Sequence, residues 1–293
     1  MAQPLPAFLV KKVPKQENIR RIRALLGDRS LCTVCEEAKC PNIGECFAAR
    51  TCAFMILGDT CTRNCAFCGV THGKPTAPDP TEPGRLTRAV EKLGLKYVVI
   101  TSVTRDDLAD GGASHFASVI ATIRNQHSAI RIEVLIPDFK GDEEALRTVL
   151  DAKPDVLNHN VETAPRLYPA VRPQADYQRS LRLLASAKRL SPAIYTKSGF
   201  MVGLGETKEE VAAVLADLKT ANCEIVTIGQ YLPPSKAHRQ PDRYVTPAEF
   251  NEYRAIGQRL GLGQVVAGPF VRSSYHAEAT INNVKSAGSR PVT

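Results

Sequence analysis

From residue 51 onward, short apolar runs rich in β-branched residues alternate with longer stretches whose apolar positions recur every third or fourth residue. This alternation predicts strands near 52–57, 96–101, 130–136, 155–158, 194–202, 224–230 and 264–267. It predicts helices near 82–94, 113–126, 142–152, 176–190, 207–221 and 247–261. Capping chemistry supports several of these bounds. Asp142, Thr207 and Thr246 stand where a side-chain oxygen can accept the first free N–H groups of a helix, and Gly94 and Gly261 stand where a left-handed residue closes one. Repeated strand–helix units bury their strands in a parallel sheet under a layer of helices. The expected fold is therefore α/β, a partial (βα)6 TIM-type barrel with N- and C-terminal extensions.

The barrel rhythm covers residues 51–268. Residues 1–50 depart from it, with a basic helical stretch at 16–26 followed by a cysteine-rich loop, and read as an N-terminal extension. Residues 269–293 read as a C-terminal extension whose last dozen residues have the composition of a disordered tail. No apolar run approaches the roughly 20 residues of a membrane helix, and the charged first thirty residues hold no signal-peptide core. A cytoplasmic protein without a membrane partner is expected. The net charge of +8 favours an acidic partner. Basic runs with interleaved aromatics are missing and tryptophan is absent, so an acidic protein is expected rather than nucleic acid.

Nine cysteines change the picture. Cys61, Cys65 and Cys68 lie within CTRNCAFC, directly after the first barrel strand, where a βα barrel carries its active-site loops. A disulfide framework fits an odd cysteine count in a long chain poorly. A zinc site from the same three thiols and His72 is the stronger rival. A 4Fe-4S cube offers four irons, so three thiolates leave one iron open for chemistry. Before this loop come Cys32, Cys35, Cys40, Cys46 and Cys52; spacing alone does not say which bind metal, and Cys32 with Cys35 also suits a zinc knuckle.

The CxxxCxxC spacing resembles the radical S-adenosylmethionine (SAM) superfamily. The order Cys35-x4-Cys40-x5-Cys46 followed by that loop is similar to the lipoyl synthase family. So are ITSVTRDDLADGGASHFA (100–117), LNHNVETAPRLYPAVRP (157–173), KSGFMVGLGET (197–207), TIGQYLPPSKAH (227–238) and VRSSYHA (271–277). The resemblance spans nearly the whole chain. It implies two 4Fe-4S clusters and SAM as cofactors. One cluster would sit on Cys61, Cys65 and Cys68 and open SAM to a 5'-deoxyadenosyl radical. The other would sit on Cys35, Cys40 and Cys46 with a serine of Arg272-Ser273-Ser274-Tyr275, Ser274 rather than Ser273, and would donate sulfur. Cys32, Cys52 and Cys223 would then be packing residues.

The implied reaction inserts two sulfur atoms at C6 and C8 of an octanoyl group carried on a lipoyl domain. The implied partners are octanoylated acyltransferase subunits of 2-oxoacid dehydrogenases, the glycine cleavage H protein, a flavodoxin or ferredoxin as low-potential electron donor, and an iron-sulfur carrier protein. Thr104 and Asp106, with Arg105 beside them, follow the second strand and are candidates for the methionine part of SAM; a solvated turn is the alternative. Asn160 and Glu162 end the fourth, where Glu162 would take ribose hydroxyls or cap the next helix. Gly203 and Gly205 would let the backbone approach the adenine. Lys197 and Arg172 are candidates for the carboxylate of the methionine part or for an acidic surface of the partner. His159 and His276 lie nearby, and a lone histidine more often makes an ordinary hydrogen bond than a metal bond. Two other readings remain: a radical methylthiotransferase acting on transfer RNA, and a non-catalytic protein, either an iron-sulfur electron carrier or a zinc-stabilised module.

Overall fold

A computed structural model describes residues 5–11, 15–27 and 31–287. In chain order the strands are β1 (Cys32–Thr33), β2 (Ala53–Ile56), β3 (Thr60–Cys61), β4 (Thr71–His72), β5 (Tyr97–Ser102), β6 (Arg131–Leu135), β7 (Val156–Asn158), β8 (Tyr195–Val202), β9 (Ile225–Gln230) and β10 (Gln264–Gly268). The helices are α1 (Gln16–Leu26), α2 (Val34–Glu37), α3 (Ile43–Ala48), α4 (Glu82–Leu93), α5 (Ala113–Gln126), α6 (Glu143–Asp151), α7 (Tyr168–Val171), α8 (Tyr177–Leu190), α9 (Lys208–Thr220), α10 (Pro247–Arg259) and α11 (Ala277–Ala287).

Every strand and helix expected between residues 51 and 268 is present. Their order in one sheet is β1-β2-β5-β6-β7-β8-β9-β10, parallel throughout except for the β1–β2 pair. Six helices, α4, α5, α6, α8, α9 and α10, each follow a strand, and β10 closes the series. The sheet has two edges, so the barrel is partial. The caps are where chemistry requires them. Asp142 accepts the N–H groups of Glu144 and Ala145, Thr207 and Thr246 each form a reciprocal capping box with a glutamate three residues on, and Gly94 ends α4 at φ 65°.

Outward strand residues such as Phe54, Ile56, Val98, Ile100, Ile132 and Val134 are buried under the helices. Inward residues build the interior from an apolar plug and a buried polar group. At the N-terminal end of the strands, Ala53, Tyr97, Val99, Val156 and Ile225 pack against Ala277 and Ile281 of α11. This corrects the expected disordered tail in part: residues 282–287 continue α11, and 288–293 lie outside the described residues. Within the same registers lies a buried polar group, since Glu133 pairs with Val99 and Val156 and Lys197 with Ile225. Lys197 Nζ is 2.8 Å from Glu133 Oε1, and Tyr97 Oη donates to Glu133 Oε2 at 2.6 Å. Lys197 and Glu133 are each only 1% exposed. A buried lysine needs such a partner, because an unpaired charge there costs several kcal/mol, about 3–5. Among the described residues no helix is long and apolar enough to cross a membrane.

Candidate functional site

The loop after β2 is built by a turn that its residues take at some strain. Leu57 adopts φ 67° and Gly58 φ 92°, which swings the chain out of the sheet. Glu82 accepts the Leu57 N–H at 2.9 Å and Arg105 donates to the Leu57 carbonyl at 3.2 Å, so both polar groups of the strained residue are held. Arg105 also forms a fork with Asp107 and is almost fully buried. It is thus engaged with the loop rather than with a ligand.

Within CTRNCAFC, Arg63 is the anchor. Its guanidinium makes paired bonds to Asp106 (2.7 and 2.9 Å) and to Asp138 (2.7 and 3.0 Å), tying the cysteine loop to the ends of β5 and β6. Such planar two-point contacts fix orientation as well as position. Asp138 is fully buried, accepts from Arg179 as well, and is held well below the usual carboxylate range; burial opposes that shift and Arg63 drives it. The loop is fastened elsewhere by the Ala66 N–H to the Val171 carbonyl and by His238 Nε2 to the Cys68 carbonyl. Asp106 therefore positions Arg63 and does not border the cavity, while Thr104 does.

The second trio comes from the N-terminal extension. β1 adds antiparallel to β2, and Thr33 caps α2, which carries Cys35. Lys39 at φ 51° reverses the chain, so that the Cys40 N–H reaches the Cys35 carbonyl, and α3 carries Cys46. This segment is fastened to the C-terminal extension. Asn42 Nδ2 donates to the Phe270 carbonyl at 2.7 Å, Tyr275 Oη donates to Glu45 at 2.8 Å, and the Lys11 ammonium sits 4.6 Å from the Phe270 ring centre. The Arg-Ser-Ser-Tyr turn is thereby carried to the cysteines. Two inward glycines leave space for it. A Cβ on Gly229 would lie 2.0 Å from the Val271 carbonyl oxygen, and one on Gly199 would lie 2.9 Å from Ser273 Oγ.

A single cavity of about 570 Å3 is lined by Cys35, Cys40 and Cys46, by Cys61, Cys65 and Cys68, and by Ser273 and Ser274. Asn160, Glu162, Arg172 and Arg272 line it too. Burial pushes the Cys35 and Cys68 thiols up to about 12 and raises Cys65, with the Arg172 charge opposing the rise at Cys65. Burial also raises the Glu162 carboxyl, against Arg172, the Asn160 amide and Arg272. Arg272 is lowered by the same burial, and its guanidinium, bonded to the Val271 carbonyl, faces Cys40 and Glu162.

These residues fit two iron-sulfur clusters. Thiols that keep their protons when metal-free are deprotonated by metal binding itself, and a cube with three thiolates is anionic, matching the buried Arg172 and the half-buried Arg272. Among the described residues no three His, Cys, Asp or Glu side chains converge as a single ion requires. Each thiolate of a cube binds a different iron, so three thiols can serve a cluster, whereas a closed zinc site on the same loop needs a fourth protein ligand. His72, the fourth ligand of the zinc alternative, is exposed on β4. Cys52 and Cys223 are buried as packing residues, and Cys32 is half-buried at the sheet edge.

Of the expected cofactor contacts, Asp106, Lys197, Gly203 and Gly205 lie outside the cavity lining. Lys197 is locked in its ion pair with Glu133 and does not line the cavity. Gly203 and Gly205 also lie outside the lining; their missing side chains make room for Gln230 and the Arg243 carbonyl, and for Asp242. Arg63, Asp138 and Arg272 carry the site's geometry and were not picked out from the sequence as such. An arginine between the cysteines of the CxxxCxxC loop was the available signal, as were Gly199 and Gly229, isolated glycines inside strands that mark a close approach of backbone.

His159 borders the cavity, fully buried, with Nδ1 at 2.9 Å from the Ile136 carbonyl and Nε2 at 2.9 Å from Ser180 Oγ. Burial lowers it from 6.5 to about 4. The folded state therefore prefers the neutral ring, and the stability it contributes is lost as pH falls from 6.5 towards 4. Cluster-free His159→Gln, which keeps a donor and an acceptor, is expected to lose less stability than the parent over that window in urea titrations at successive pH values. An equal loss in both proteins counts against this role of His159.

The model of the Radical SAM superfamily matches residues 55–218. A lipoyl synthase of Caldanaerobacter subterraneus subsp. tengcongensis is 56% identical over 266 residues, 91% of this chain and 93% of that protein. Those of Caldicellulosiruptor saccharolyticus and Rubrobacter xylanophilus are each 54% identical, over 94% and 93% of this chain and 96% and 85% of theirs. Among solved structures, methylornithine synthase matches with TM-score 0.55 at 14% identity, covering 97% of this chain and 92% of that one. The hydrogenase maturase HydG matches with TM-score 0.59 at 16% identity, over 96% and 62%. At such identities the structural likeness speaks for the fold alone.

Proposed function

The chain belongs to the lipoyl synthase family of the radical SAM superfamily, and on that premise we propose that it inserts sulfur at C6 and C8 of an octanoyl group borne by a lipoyl domain. The observation that carries this reading is the one cavity bordered by both cysteine trios. When bound, a 4Fe-4S cluster on Cys61, Cys65 and Cys68 with SAM supplies a hydrogen-abstracting radical, and a second cluster on Cys35, Cys40, Cys46 and Ser274 supplies sulfur.

The protein's own residues bind, orient and exclude water. Arg63, between Asp106 and Asp138, keeps the CxxxCxxC loop in one orientation. Thr104, Asn160 and Glu162 border the cavity where SAM would lie, and Arg172 adds a positive charge for a carboxylate. Met55, Val99, Val103 and Phe200 give the cavity apolar wall against which an acyl chain can rest while the radical acts. Such enclosure holds the reacting carbon near both sites and converts an encounter into a positioned reaction.

The domain division at residues 50 and 268 follows the same logic, the two extensions holding the sulfur-donating side. Acyltransferase subunits of 2-oxoacid dehydrogenases and the glycine cleavage H protein are the proposed carriers, met by the basic charge of this chain. A flavodoxin or ferredoxin would supply electrons, and an iron-sulfur carrier protein would refill the consumed cluster. Anaerobic incubation of the reconstituted protein with an octanoylated carrier peptide, SAM and a strong reductant is expected to add two sulfur atoms per peptide by mass. SAM cleavage without any sulfur gain would count against the reading.

A further inference from the structure

Asn160 occupies a place between the two halves of the cavity that its neighbours have shaped. Its Nδ2 donates to Glu162 Oε1 at 3.0 Å, and its Oδ1 accepts from Ser273 Oγ at 3.0 Å. Arg172 Nη1 donates to its carbonyl at 3.0 Å. The amide is therefore oriented by a carboxylate on one side and a hydroxyl on the other. Space for this contact depends on Gly199, whose missing Cβ would lie 2.5 Å from Thr227 Oγ1, 2.9 Å from Ser273 Oγ and 3.0 Å from Asn160 Oδ1. Glu162, at φ 63°, is held in register by its N–H to the Gly199 carbonyl and by the Met201 N–H to its own carbonyl. Arg172 and Arg272 flank its carboxylate, the first also acting on Cys65 and the second facing Cys40.

A chain of polar contacts thus runs from the serine-bearing turn through Asn160 to Glu162. Resting on the sulfur-insertion reading above, we propose that Asn160 is a positioning residue coupling the two sites: it holds Ser273, and so presents Ser274 to the Cys35, Cys40 and Cys46 trio, while the same amide orients Glu162 towards SAM. Ordering of the turn by the second cluster then favours SAM binding through one side chain, and by thermodynamic reciprocity SAM strengthens the grip on the turn.

Three measurements test this. In cluster-free protein, Ser273→Ala and Asn160→Ala are each expected to speed hydrogen–deuterium exchange in residues 271–276 by about fivefold, the worth of one hydrogen bond of about 1 kcal/mol. In Cys61→Ala/Cys65→Ala/Cys68→Ala protein, which keeps only the second cluster, adding either variant is expected to speed chelator-driven loss of iron by a similar factor. With both variants together, the losses are expected not to multiply, as for two ends of one contact. Finally, SAM is expected to bind the parent more tightly than Cys40→Ala protein, which would lack the second cluster, and Ser273→Ala is expected to erase that difference. The proposal is overturned if Ser273→Ala leaves exchange and chelation unchanged, if the two variants act independently, or if the difference in SAM affinity persists. Iron sufficient for one cluster only in the reconstituted parent would sink the sulfur-insertion reading instead, and the exchange measurement would still decide whether Asn160 holds the turn.

Discussion

Cys65→Ala is expected to abolish 5'-deoxyadenosine formation from SAM, down to the level of cluster-free protein, while leaving the fold intact. The loop it belongs to is fastened by groups other than the thiol. Arg63 holds it to Asp106 and Asp138, and a backbone bond from Ala66 to Val171 and the His238 ring at the Cys68 carbonyl secure its far side. Removing one half-buried sulfur therefore costs little packing, and far-ultraviolet circular dichroism should stay at the parent's level. The cluster, by contrast, loses one of three protein ligands. Liquid chromatography of anaerobic reactions with dithionite and SAM checks the result. A yield equal to the parent's would remove this loop from the chemistry, whatever the second trio does.

Cys40→Ala is expected to separate the two activities. SAM cleavage should persist within a factor of a few of the parent rate, because Cys61, Cys65, Cys68 and the Arg63 anchor lie on different elements from the N-terminal trio. Sulfur insertion into an octanoylated carrier should fall below detection. Cys40 follows the left-handed Lys39 and hydrogen-bonds through its N–H to Cys35, so replacement leaves the backbone turn in place and removes only the thiol. Mass analysis of the carrier peptide alongside 5'-deoxyadenosine quantification checks both halves at once. Full lipoylation by the variant would rule out the second site as the source of sulfur.

The barrel was legible because its signals are local. Period-two and period-3.6 runs, Asp142, Thr207 and Thr246 at helix starts and Gly94 at an end all act within one turn of where they stand. The cysteine loops were legible for the same reason. The ion pair of Lys197 is not legible because its partner, Glu133, stands 64 positions away on a strand two places across the sheet, and no local rule reveals a buried pair of that kind. Gly203 and Gly205 were read as an approach to a ligand, whereas the groups that approach them are Gln230, Arg243 and Asp242 of the chain itself. Local pattern shows that a glycine makes room; it does not show for whom. Arg63 needed both Asp106 and Asp138 to acquire meaning, and the β1 edge strand, two residues long, is too short to have a period.

The bond from Asn42 to Phe270 and that from Glu45 to Tyr275 join positions more than two hundred residues apart. During synthesis the first cysteines emerge long before the turn that completes their surroundings, since a chain leaves the ribosome from its N-terminus. The surroundings of the N-terminal trio are thereby complete only once residue 275 has emerged, and a chain stalled short of residue 270 would carry the CxxxCxxC loop without the turn that faces that trio.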